Sequence, residues 1–94
     1  MSYRIAFPAE MDEGDWALQE AKGWLEAKIV WDGGERTVTF YDQARLMQSI
    51  SDDMRRLGFF AEPGIVVLPT VTRAGIEAAV AALAERGFVD LQHP

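Results

Sequence analysis

Ninety-four residues, 49% hydrophobic and 26% charged, read as one domain spanning 1–94, because two halves would each be too small to bury a core. Fifteen acids against nine bases give a formal charge of -6, the wrong sign for nucleic acid or an anionic lipid surface. Cysteine is absent, which excludes disulfides and thiolate chemistry, and the single histidine, His93, leaves little for a triad or an imidazole metal site.

Tyr3, Ile5 and Phe7 alternate with Ser2, Arg4 and Ala6, so a first strand is expected, ended by Pro8. Asp15 is placed to cap a short helix over 16–22, stopped by Gly23; the alternation of Trp16 and Leu18 also permits a strand there. A hairpin follows. Leu25, Ala27, Ile29 and Trp31 share one face of its first strand, and Trp24, Glu26, Lys28 and Val30 the other. With Gly33-Gly34 as a two-residue loop, Ile29 would face Val38, Ala27 would face Phe40 and Trp31 would meet Arg36.

Asp42 reads as the cap of a helix whose Leu46, Met47, Ile50, Met54 and Leu57 recur at helical spacing, with Gly58 as its stop. Pro63-Gly64 marks a turn. Ile65-Val66-Val67-Leu68 reads as a central strand buried on both faces, closed by Pro69. Thr72 caps a last helix along Ile76, Ala79, Val80 and Leu83, and Gly87 ends it. Phe88 to Leu91 is expected as a final strand, and Gln92-His93-Pro94 as a tail.

These elements predict an α+β fold. It is a two-layer sandwich, with a mixed sheet of about five strands and the two main helices on one face. A ferredoxin-like β-α-β-β-α-β core with an appended helix and strand is one arrangement of that order. The longest uncharged stretch, Pro63 to Thr72, is ten residues, against ~20 for a spanning helix, and no signal peptide is evident, so the cytoplasm is the expected location.

The charge is local. Glu10, Asp12, Glu13, Asp15 and Glu20 lie in one segment without a base; the remaining ten acids face all nine bases. Such a run is ordinarily a solvated surface. Beside Trp16 it becomes a candidate docking surface for a basic protein partner, extended by Trp24 and Tyr41 if both helices cover the Ile29 face and leave the opposite face open. The spacing of these acids does not match an EF-hand, and no cofactor is expected. Acid–base groups are limited to carboxylates, tyrosines and two lysines. Asp52 and Asp53 point about 100° apart on a helix, so they do not converge, and no catalytic residues are assigned.

The expected function is therefore a small acidic, non-catalytic protein-binding domain of an inhibitor, immunity-type or regulatory kind. A small-molecule or anion-binding domain with a pocket between sheet and helices, enzymatic or not, is one alternative; Thr70, Thr72 and Arg73 at a helix N-terminus would suit an anion. A structural homo-oligomer, such as a homodimer, is another.

Overall fold

The computed structural model describes residues 2–92; His93 and Pro94, read above as the end of a tail, lie outside the described residues. Four strands form one mixed sheet in the order β1 (Tyr3–Ala6), β2 (Trp24–Trp31), β3 (Gly34–Asp42), β4 (Ile65–Leu68), the first two pairings antiparallel and the last parallel. Three helices accompany it: α1 (Glu13–Lys22), α2 (Gln43–Leu57) and α3 (Arg73–Glu85).

The α+β class is as expected, but among the described residues the sheet has four strands, not about five. Phe88 takes a left-handed conformation at φ 57°, and Val89–Leu91 form a 3₁₀ turn in place of the expected last strand. The reason is packing. Side chains three apart eclipse in a 3₁₀ turn, so Phe88 and Leu91 both enter the core while Val89 stays exposed. A strand would send adjacent residues to opposite faces, but would separate Phe88 from Leu91. The ferredoxin-like interleaving is also absent, because β1 and β2 are direct antiparallel neighbours.

The hairpin forms with a different turn. Trp31 pairs with Gly34, so Asp32 and Gly33 make the loop and Leu25, not Ala27, lies opposite Phe40. The register moves by two residues, which preserves both faces. Neither Gly33 nor Gly34 adopts the left-handed conformation. The Trp31 indole lies against Gly33, where a Cβ would come within 3.1 Å of Trp31 Nε1; at Gly34 a Cβ would make only ordinary contact with the same ring. Arg36 is paired with Ile29 instead of Trp31. Trp31 stacks on Phe88 at 4.7 Å between ring centroids.

One core results. Leu25, Ala27, Ile29, Trp31, Val38 and Phe40 line one sheet face and bury against Ile76 and Val80 of α3, the Phe88–Leu91 turn, and Trp16 of α1. The two long helices do not share this face. Arg45 and Ser49 of α2 line a hollow with Tyr41, whose side chain lies opposite Phe40, so α2 covers the other face. Crossovers between parallel neighbours such as β3 and β4 are right-handed, which leaves α2 only one side of the sheet. β4 is correspondingly an edge strand, not a central one, and Val67 is half exposed.

The helix ends follow the sequence closely. Asp42 accepts from the Arg45 N–H at 2.7 Å, Thr72 from the Gly75 N–H at 3.0 Å, and Gly23 and Gly58 take positive φ at the C-caps. The α1 cap is earlier than expected: Asp12 accepts from the Asp15 N–H at 2.8 Å, and Asp15 returns a bond to the Asp12 N–H at 3.1 Å. Gly64, at φ 65°, is constrained further, since a Cβ there would approach the Thr37 carbonyl oxygen to 2.5 Å.

The terminal turn yields a paired prediction. Phe88→Ala empties a fully buried site and should cost about 3–5 kcal/mol in urea unfolding. Val89→Ala, one residue on and exposed, should stay within about 0.5 kcal/mol of the parent. Comparable losses at both positions would contradict the turn.

Candidate functional site

The acidic segment is built on α1. Asp12 and Asp15 close the capping box, and Glu13 joins Asp15 in the first turn, where negative charge favours the helix. Glu10 precedes the helix and Glu20 lies near its end; all five acids are exposed. Two of these carboxylates therefore hold the helix start while still facing solvent.

Trp16 has a different part. It is half-buried, meeting Phe7 edge-on at 5.2 Å, and its Nε1 is buried without a hydrogen-bond partner among the described residues. It anchors α1 to the core. Around it lies a hollow of about 500 Å³ lined by Phe7, Ala9, Glu10, Met11, Trp16 and Arg73. Arg73 is engaged with Glu77 at 3.0 Å, and Thr72 serves as the α3 cap. Among the described residues no group of three His, Cys, Asp or Glu is placed to hold a metal ion, and no helix is long and apolar enough to cross a membrane.

The outward side of α1 carries a feature that alternation alone did not reveal. Trp16 and Gln19 face inward. At about 100° per residue, Gly14, Ala17, Leu18 and Ala21 fall on the opposite pole, and all four are exposed. Leu18, at 62%, is the most exposed large hydrophobic residue described. Glu13 and Glu20 border this strip on one side, and Asp15 and Lys22 on the other, the Lys22 ammonium lying over the Trp24 ring. The sequence signal for it is the i, i+3, i+4, i+7 spacing of 14, 17, 18 and 21, which is faint because three of the four residues are too small to stand out as apolar.

Trp24 and Tyr41 lie apart from that strip. Trp24 is half-buried with the Lys22 ammonium 4.5 Å from its ring centroid, a cation–π contact. Tyr41 is only 7% exposed. The open Trp24–Val30–Tyr41 patch required both long helices on the Ile29 face; with α2 on the other side, Tyr41 is covered. Its hydroxyl donates to the Glu62 carboxylate, 2.8 Å to one oxygen and 3.1 Å to the other. Burial raises the Tyr41 pKa above its usual value of 10.0, and the hydrogen bond to Glu62 and its negative charge add to that; a Ser49 hydrogen bond and the Arg45 charge oppose it. Tyr41 thus stays a neutral donor, tying β3 to the connection before β4.

The apolar stripe of α2 is the larger surprise. It reads as core-facing, yet no α2 residue is fully buried, and Met47, Met54 and Leu57 are each more than half exposed. The half-buried residues are Arg45, Leu46, Ser49, Ile50 and Asp53, so the helix is rotated away from its most apolar line. Tyr41 and Glu62 beneath it make the contacts there polar.

Tyr41→Phe removes a hydrogen bond to a carboxylate and should cost about 1–2 kcal/mol near neutral pH. The folded-state pKa exceeds the unfolded one. The Tyr41 contribution is therefore complete below pH 10 and is lost as pH rises through the folded value. Urea titrations should show the gap between parent and variant narrowing above pH 10; a constant gap would mean that Tyr41 titrates alike in both states.

Comparison of the chain with protein-family models, with curated proteins and with solved structures finds no match in any of the three.

Proposed function

We propose that this chain is a small non-catalytic protein-binding domain that docks a basic partner on the outer face of α1. The observation that carries the reading is the arrangement of that helix: an exposed strip of Gly14, Ala17, Leu18 and Ala21, bordered by Glu13, Glu20 and Asp15, with Lys22, the one base beside it, over the Trp24 ring. Small residues let a partner backbone approach closely, and Leu18 supplies the apolar contact that such a surface needs at its centre. The bordering acids favour lysine or arginine at the partner's rim, which raises the association rate and sets specificity. A basic amphipathic helix has the matching chemistry.

The placement of the charge supports the same reading. Five acids within residues 10–20 concentrate the negative field of a chain whose remainder is nearly balanced. The capping box orders the helix that presents them before a partner arrives, so little ordering remains for the binding step.

The test is capture from the source lysate at low and high salt, with parent and Leu18→Lys domains as bait, followed by titration calorimetry on whatever basic protein the parent alone retains. Leu18→Ala should weaken binding at least about tenfold, equivalent to roughly 1.4 kcal/mol. Glu13→Gln with Glu20→Gln leaves the capping box intact and should flatten the salt dependence. Binding that ignores both changes would remove α1 as the surface.

A further inference from the structure

We propose that two copies of this chain pair across a two-fold axis at β4, joining their sheets edge to edge and packing their α2 helices side by side. This surface is distinct from the α1 face, so either reading can fail without the other.

The first observation is the open edge. β4 pairs with β3 on one side, and among the described residues no strand pairs with the other. Natural edge strands are kept very short or are guarded by a charge, a proline or a bulge; β4 is short, at four residues with Pro69 directly after it, but within that length its edge is open. Ile65-Val66-Val67-Leu68 has no charge and no internal proline, and it pairs with β3 in unbroken register. β1, at the opposite edge, carries Arg4.

The second observation is where the uncovered stripe of α2 points. The half-buried residues Arg45, Leu46, Ser49, Ile50 and Asp53 mark the sheet-facing side. Met47, Met54 and Leu57 lie roughly 90° further round in the chain direction, at about 100° per residue. For a right-handed helix in a right-handed crossover from β3 to β4, that rotation aims the stripe sideways, beyond β4. The hollow shared with Tyr41 opens on the other flank, toward β3. The stripe therefore overhangs the open edge, with Val67 on the same sheet face beneath it.

Strand and helix spacing then fit a second copy. Strands lie about 4.8 Å apart, so β4 would sit about 2.4 Å from the axis and a helix straddling β3 and β4 about 4.8 Å from it. Two such helices would be about 10 Å apart, the ordinary distance for packed helices. The same operation pairs β4 with itself antiparallel, and it closes after two copies. The register sum must be even, which sets the axis beside Val66 or Val67 and keeps like faces together.

Charge and area agree. The stripe runs through Gln43, Met47, Ile50, Met54 and Leu57 without a charged residue, so two chains of -6 can meet there without opposing their acids. A strongly basic partner would find nothing to pair with. Met47, Met54, Leu57, Phe59 and Val67 are each about half exposed. At roughly 100 Å² apiece they supply about 500 Å² per copy and about 1,000 Å² for the pair, the lower bound for a specific interface.

Sedimentation equilibrium on the full chain decides the matter. The parent should weigh twice its 10.5 kDa chain mass at sub-millimolar concentration. Val67→Lys and, separately, Met54→Lys should halve that mass while leaving the circular dichroism spectrum unchanged, since both positions are exposed. Because the chain has no cysteine, Val66→Cys and Val67→Cys, made separately, offer a second readout: the one beside the axis should cross-link between copies on oxidation, while Val89→Cys, exposed but far from the edge, should not, and no cross-link at either β4 position would overturn the pairing. A parent that stays at the monomer mass, a dimer that survives both lysine substitutions, or masses that climb past the dimer would each overturn the proposal.

Discussion

The β2–β3 hairpin is predominantly apolar on one face only, where Arg36 opposite Ile29 is the one charged residue, and the rest of the structure is arranged around that asymmetry. Leu25, Ala27, Ile29, Trp31, Val38 and Phe40 demand cover, and α3, the Phe88–Leu91 turn and the Trp16 side of α1 provide it. The other face mixes Trp24, Glu26, Lys28, Thr39 and Tyr41. A helix laid there finds hydrogen-bonding groups as well as carbon. α2 accordingly turns Ser49, Arg45 and Asp53 toward the sheet, and its methionines are left at the side.

The two ends of the core show how much depends on a few aromatic contacts. Phe88 stacks on Trp31 and receives Tyr3 edge-on at 5.6 Å, so the chain terminus, β1 and the hairpin meet at one ring. At the other end Phe7 and Trp16 hold the acidic helix in place. Aromatic pairs of this geometry contribute beyond their buried area. They allow α1, which has no fully buried residue, to remain a fixed platform for its outward strip.

The molecule therefore exposes two surfaces of opposite character. The α1 face is small, acid-bordered and centred on Leu18. The α2–β4 face is broad, uncharged and ends in an open strand edge. Water and salt act differently on the two. Charge attraction at the first weakens as ionic strength rises, whereas apolar burial at the second does not. A dimer through β4 would leave α1 of each copy free, giving a two-headed arrangement in which a repetitive basic partner gains from effective concentration.

Much of this was legible along the chain. Asp42, Thr72, Gly23 and Gly58 mark helix ends through local hydrogen bonding and backbone conformation, which need no distant partner. Alternation identified both faces of the hairpin, and a register error of two left them unchanged because strand side chains repeat every two residues. The acidic segment was equally plain, since charge is a property of the residues themselves. What the sequence could not decide was where each helix would lie. The stripe of Met47, Met54 and Leu57 looks the same whether it meets a core or solvent; crossover handedness and the polar groups around Tyr41 and Glu62 decided that. Tertiary packing likewise turned Phe88–Leu91 from a strand into a 3₁₀ turn, because only that geometry sends both large side chains into the one face that needed filling.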